Sequence, residues 1–140
     1  MADLKIYTDG GARGNPGPAA IAMLILDSKD KLLFRHSEFI GTATNNVAEY
    51  RAVLKALTLA KRHGKKSVLC TMDSQLVVSQ LKGDYKVKKQ HLLELFRQIK
   101  DLEKNFERVE YTHVKRSNEK ISMADSMLNG MLDKVEGQRK

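Results

Sequence analysis

The chain is expected to fold as an α/β domain on a mixed five-stranded sheet, three antiparallel strands followed by helix–strand units. Three observations carry this expectation. Residues 4–39 contain three strand-patterned stretches joined by short connections. At Asn45 the apolar period lengthens from two residues to between three and four. From there helical stretches alternate with two short apolar runs, the order that argues for right-handed crossovers and parallel pairing. With 140 residues the chain can bury one real core and is too short for two. Residues 1–136 are expected to form one domain and 137–140 a frayed tail.

Leu4 to Thr8 puts Leu4, Ile6 and Thr8 on one face and Lys5, Tyr7 and Asp9 on the other, the alternation of a strand. The following Gly10-Gly11-Ala12-Arg13-Gly14-Asn15-Pro16-Gly17-Pro18 is so rich in Gly and Pro that a long turn is expected. Ala19 to Leu26 is almost wholly apolar and suits a strand covered on both faces. Asp27-Ser28-Lys29-Asp30 reads as a turn, and Lys31 to Phe39 as a third strand. Val47, Tyr50, Leu54 and Leu57 then recur at helical spacing, with an end near His63-Gly64. Ser67 to Met72 is a fourth strand, closed by Asp73. Gln75 to Leu81 is a short helix broken by Gly83, and Lys89 to Lys104 a longer one. Arg108 to Val114 is a fifth strand, and Ala124, Met127, Leu128, Met131 and Val135 stripe a last helix.

Hydrophobic content of 41% with 30% charged residues is that of a globular protein, which excludes disorder as the default. A net charge of +8 favours an anionic partner, nucleic acid before membrane. Cys70 is the only cysteine, so an internal disulfide is excluded and a reducing compartment fits. No stretch approaches membrane-spanning length. A cytoplasmic monomer is expected.

Asp9 and Asp73 close the first and fourth strands. If those strands pair in parallel, both carboxylates emerge at the edge where open α/β sheets bind ligands. Glu49 falls at the start of the following helix, and Asp125 early in the last one. Taken singly, each has a structural explanation: Asp73 as a helix cap, Asp9 as a turn residue, Glu49 as a complement to the helix dipole, Asp125 as a solvated residue. Taken together, converging acids repel unless a divalent cation neutralises them. Oxygen ligands suit Mg²⁺ or Mn²⁺ and not zinc.

Thr8-Asp9-Gly10-Gly11, Asn15-Pro16-Gly17, Asn45-Asn46-Val47-Ala48-Glu49, Asp73-Ser74-Gln75 and Ala124-Asp125 occur in the order seen in type 1 ribonuclease H, which the chain resembles from about Leu4 to Leu132. The resemblance implies a ribonuclease H-like fold. It also implies endonucleolytic cleavage of the RNA strand of an RNA–DNA hybrid, leaving 3′-hydroxyl and 5′-phosphate ends. Asp9, Glu49, Asp73 and Asp125 would be catalytic and hold two Mg²⁺ ions, with Mn²⁺ as an alternative. Asn15, Asn45, Asn46 and Gln75 match positions that meet the hybrid's minor groove, where amides can bond 2′-hydroxyls. Gly10 and Gly11 would let backbone approach the RNA. Paired Asn at 45 and 46 also suits a helix cap, and Asn15 a turn.

Lys82, Lys86, Lys88 and Lys89 surround Tyr85. Lys86 and Lys88 are assigned to the DNA backbone, although a solvated basic loop has the same composition. Many family members carry a His in the loop before the last helix; here that loop is Lys115-Arg116-Ser117-Asn118-Glu119-Lys120. Arg116, Asn118 and Glu119 are the candidates to replace it, while His36, His63, His91 and His113 match no family position. A silent hybrid-binding module and a same-fold nuclease acting on double-stranded RNA are the competing readings.

Overall fold

The computed structural model describes residues 2–64 and 66–138 and places five strands in one sheet. These are β1 (Leu4–Ala12), β2 (Gly17–Asp27), β3 (Leu32–Ala43), β4 (Ser67–Met72) and β5 (Arg108–His113), in spatial order β3-β2-β1-β4-β5. The helices are α1 (Asn45–Ala60), α2 (Gln75–Lys82), α3 (Gln90–Glu103) and α4 (Glu119–Gln138). β1 and β3 pair antiparallel with β2, whereas β4 pairs in parallel with β1 and β5, so the expected mixed sheet is present.

β2 decides the layering. Every residue from Ala19 to Leu26 is buried, and alternation sends successive side chains to opposite faces. Ile21, Met23 and Ile25 join Leu4 and Ile6 of β1 and Tyr50, Val53 and Leu57 of α1 in the main core. Ala20 and Ala22 face the other way and meet Ala124, Leu128 and Leu132 of α4 in a second, smaller cluster. The sheet side of this contact is small, and Phe39, Met127 and Met131 pack at its edges. The apolar stripe of α4 is thus Ala124, Leu128 and Leu132, with Val135 only half-buried.

Helix starts follow local chemistry. Thr44 caps α1, its Oγ1 accepting from the Val47 N–H, and Ser74 caps α2 by accepting from Val77. Gly83, at φ 89°, ends α2 in the left-handed conformation that glycine tolerates best. α1 stops at Ala60, and a 3₁₀ turn over Lys61–His63 carries the basic residues expected at its end.

Three expectations need correction. The glycine-rich segment is mostly strand: Gly10, Gly11 and Ala12 pair with Ile21, Ala20 and Ala19, leaving only residues 13–16 as a loop. Completed backbone hydrogen bonds outweigh the poor strand propensity of glycine. β3 runs on to Ala43 for the same reason, pairing along the whole of β2. α4 continues through Gly137 and Gln138, past the expected domain limit, and residues 139–140 lie outside the described residues.

Gly10 has an internal reason to be glycine. A Cβ there would overlap the carbonyl group of Ala48, because α1 crosses β1 at this point. At Gly11 a Cβ would meet Leu128 at 3.7 Å and Asn45 Oδ1 at 3.9 Å, ordinary contacts. Gly10→Ala should therefore cost about 3 kcal/mol or more, since backbone cannot yield as a side chain does. Gly11→Ala should stay within about 1 kcal/mol of wild type. Urea denaturation of both variants checks this; equal stabilities would show that α1 does not need glycine beneath it.

Candidate active site

The parallel ladder of β1 and β4 runs from Leu4↔Val68 to Tyr7↔Thr71 and then stops. β1 continues along β2, while β4 ends and the chain turns into α2. Asp9 and Asp73 stand on either side of the resulting notch. Asp9 shares strand parity with Gly11, which neighbours Leu128, so it belongs to the face that α4 covers. α4 contributes Asp125, and Glu49 enters from α1, one turn in from its start and not in the first turn as its spacing suggested.

One carboxylate oxygen from each of Asp9, Glu49 and Asp73 lies within 4.8 Å of the others. Asp125 lies close enough to Asp9 to help raise its carboxyl pKa and lines the same cleft of about 360 Å³. Asp9 is 3% exposed and Glu49 7%, so both acids are nearly cut off from water. Burial first, then the charges of Asp73 and Asp125, pushes Asp9 up to about 8; Arg116 opposes the shift. Glu49 is raised well above its usual range by burial, then by Asp9 and Asp73, against the pull of the Gly10 N–H that it accepts at 3.1 Å. The other oxygen, Glu49 Oε2, is buried without a hydrogen-bond partner. An orphaned carboxylate oxygen beside two further acids is the environment a hard divalent cation satisfies, and the all-oxygen set fits Mg²⁺ or Mn²⁺.

The individual structural explanations for Asp73 and Glu49 fail. Ser74, not Asp73, caps α2, and Glu49 is spent on Gly10 and the cluster rather than on the helix terminus. Thr44 rather than either Asn caps α1. Asn15 and Asn45 instead stitch the loop: Asn15 Oδ1 accepts from the Asn45 N–H at 3.0 Å, and Asn45 Oδ1 from the Ala12 N–H at 2.8 Å. Among the described residues neither side-chain NH₂ finds a protein acceptor. Asn45 and Asn46 line the cleft, and Asn15 and Asn46 line a neighbouring hollow with Lys89 and His91. Gln75 is exposed at the first residue of α2. Lys86 and Lys88 are exposed between α2 and α3, outside the lining of the cleft, near Tyr85 at 60% exposure.

The loop before α4 resolves a choice that the sequence left open. Arg116 Nε lies 3.8 Å from Asp73 and its Nη2 3.5 Å from Asp125. Asn118 caps α4, accepting from the Lys120 and Ile121 N–H groups, and Glu119 is exposed. Of the three candidates only Arg116 reaches the acids. His113 is exposed at the end of β5, and His36 pairs with Glu38 on β3. Arg13 and Asn129 also line the cleft, and the sequence reading singled out neither. The available signal was the run Asp125, Asn129, Asp133, Glu136 on one helix face opposite a basic residue in the glycine-rich segment.

A family model described as reverse transcriptase-like matches residues 7–129. The bifunctional protein Rv2228c of Mycobacterium tuberculosis is 40% identical over 129 residues, covering 91% of this chain and 35% of its own length. Ribonuclease HI of Halobacterium salinarum is 37% identical over 128 residues, covering 91% of this chain and 63% of its own. The chain therefore spans about a third to under two-thirds of the length of these relatives. The solved N-terminal RNase H domain of Rv2228c, fused to maltose-binding protein, superposes with a TM-score of 0.92 at 36% identity over all of both chains. LC11-RNase H1, isolated from compost by a metagenomic approach and solved with an RNA/DNA hybrid, gives 0.88 at 41% identity over 94% of this chain and 98% of its own.

The strained pair sets a pH dependence. The Asp9 carboxyl, pushed up to about 8 in the folded protein, lies far above the usual carboxylate range of about 4 that it has when unfolded. Between those values the folded state binds more protons than the unfolded one, so without a divalent cation stability must fall as pH rises from about 4 through 8. Asp9→Asn removes that penalty and should melt above wild type in chelator at pH 9, by about 1–3 kcal/mol. Thermal melts across pH test the sign; a wild type that gains stability over this interval would show that the acids are not crowded.

Proposed function

The chain belongs to the type 1 ribonuclease H family, and from that we propose that it hydrolyses the RNA strand of RNA–DNA hybrids endonucleolytically, leaving 3′-hydroxyl and 5′-phosphate ends. The observation that carries this reading is the convergence of Asp9, Glu49, Asp73 and Asp125 on one cleft, with Glu49 Oε2 buried and unpartnered. These four side chains would hold two Mg²⁺ ions, with Mn²⁺ able to replace them. When bound, such ions activate water and stabilise the leaving oxygen of a phosphodiester.

The remaining tasks fall to the protein's own groups. The Gly10 N–H holds one oxygen of Glu49 and leaves the other free for a ligand. Arg116 partly neutralises Asp73 and Asp125 and brings a fixed positive charge to where a phosphate must enter. A guanidinium stays protonated, so Arg116 acts as a cation and not as the proton carrier that a loop His supplies. Asn15, Asn45, Asn46 and Gln75 offer amide donors to 2′-hydroxyls and base edges without demanding one sequence. Gly11 presents bare backbone at the cleft, a role that Gly10, buried against α1, is less free to share. Lys86 and Lys88 would track the DNA phosphates.

Four intact acids in one cleft speak against a silent binding module. A cytoplasmic monomer remains the proposed setting, supported by the lone buried Cys70 and the net charge of +8. One gel decides the substrate: labelled hybrid, double-stranded RNA and double-stranded DNA, each with Mg²⁺, Mn²⁺ or chelator. Cleavage of the RNA strand of the hybrid with either metal, and none in chelator, is the expected pattern. Cleavage of DNA, or of any substrate in chelator, would overturn it; cleavage of double-stranded RNA would widen the substrate class.

Asp73→Asn should lower the cleavage rate by about 10²-fold or more while hybrid affinity changes little, because affinity comes from amides and cations elsewhere. A near-normal rate would remove Asp73 from the site. Hybrid affinity should fall steeply with salt, and Lys86→Ala with Lys88→Ala should flatten the log–log slope by about 0.7–0.9 per lost contact. Identical slopes would leave both lysines in solvent.

A further inference from the structure

Arg13 is a cation at the rim of an acidic cleft, yet its ion-pair partners are Asp133 and Glu136, outside the lining of that cleft. Its Nη2 lies 2.8 Å from Asp133 and its Nη1 2.9 Å from Glu136. The same Nη2 donates to both the backbone oxygen and Oδ1 of Asn129, each at 3.3 Å. Asn129 in turn donates its Nδ2 to the Asp125 carbonyl at 3.0 Å. Residues 125, 129, 133 and 136 are spaced four, four and three apart, so they lie along one helix face. One guanidinium thus grips three turns of α4 directly below the turn that carries Asp125.

The other end of this grip is anchored. The Arg13 N–H donates to Pro18 at 2.9 Å, closing the loop, and neighbouring Ala12 is tied to α1 through Asn45. The β1–β2 loop therefore joins the helix bearing Glu49 to the helix bearing Asp125. α4 needs such a tie. Its contact with the sheet is a small cluster, Ala124, Leu128 and Leu132 on Ala20 and Ala22 with Phe39, Met127 and Met131 at the edges, which leaves polar ties a share in fixing its position. Among the described residues, the ion pairs that join α4 to the β1–β2 loop are those of Arg13.

We propose that Arg13 is a positioning residue for Asp125. By clamping α4 to the β1–β2 loop it holds that carboxylate against Asp9, and so sets the affinity of the cleft for divalent cations. The proposal rests on the metal-site reading above. The fork of an arginine reaches two carboxylates and an amide at once, which a lysine ammonium does not.

The test uses the full chain without substrate, titrated with MgCl₂ and followed by melting temperature and by calorimetry. Arg13→Ala should raise the Mg²⁺ concentration for half-maximal stabilisation about tenfold, the lower end of what residues orienting a metal ligand produce. Arg13→Lys should fall between. Asp133→Asn with Glu136→Gln should reproduce Arg13→Ala from the other side of the clamp, which keeps the test open if Arg13→Ala folds poorly. In an Asp125→Asn background the same Arg13 change should have no further effect on the Mg²⁺ response. A lower melting temperature in chelator with an unchanged Mg²⁺ response would overturn the proposal and make Arg13 a simple brace. An equal tenfold loss in the Asp125→Asn background would overturn it by showing that Arg13 acts elsewhere. An unchanged Mg²⁺ response, with a separate cleavage assay of Arg13→Ala showing a raised KM for hybrid, would overturn it in favour of direct substrate contact. A wild type with no Mg²⁺ response would sink the metal reading itself, whatever Arg13 does.

Discussion

The parallel ladder between β1 and β4 ends at Tyr7 and Thr71, and the next residues to matter on each strand are Asp9 and Asp73. The convergence of the four acids depends on that divergence. A parallel pair aligns the carboxyl ends of its strands, so two acids placed just beyond the last shared rung must face each other across a notch. The crossover through α1 that makes parallel pairing possible also delivers Glu49 to the same edge. The sheet's other face is closed by α4, which brings Asp125. Four segments distant in sequence thus meet because one pair of strands runs in one direction.

The arrangement has an electrostatic cost, and the cost is unevenly shared. Asp9 and Glu49 are buried and carry the upward shifts, whereas Asp73 and Asp125 are more open and face Arg116. The crowding expected from four converging acids is therefore concentrated on the two that water cannot reach. A folded protein tolerates such strain when it serves a site, and the compensation comes from the rest of the molecule. Here that is the main core on the α1 face, with Ile6, Ile21, Met23, Tyr50, Val53 and Leu57 fully buried. The α4 face has a smaller cluster of alanines and leucines edged by Phe39, Met127 and Met131. The site lies where the well-packed layer meets the lightly packed one, which leaves polar ties such as that of Arg13 to settle where α4 sits.

Local pattern carried a large part of the fold. Alternation marked the first strand, uninterrupted apolar residues marked β2, and the end of β4 at Met72 before Asp73 was readable to the residue. What pattern misjudged was the glycine-rich segment. Propensity describes a residue's average preference, and Gly10 to Ala12 are held as strand by pairing with β2 and by the approach of α1 over Gly10. The same limit applied to β3, whose last residues are strand because β2 offers partners for them.

The sequence by itself determined the chemistry: which four acids stand beside strand ends and helix starts, that no thiol or imidazole cluster competes for a soft metal, and that the surface is basic. It determined the family through the order of those motifs. The tertiary structure alone decided which of Arg116, Asn118 and Glu119 faces the acids, that Asn15 and Asn45 knit the loop, and that Arg13 holds the last helix. The division has a physical cause. Hydrophobic periodicity and caps are interactions between near neighbours and leave a trace in residue order. Which polar side chain reaches which partner across 30 to 120 residues depends on distances that exist only once the sheet has closed and both helices have docked on it.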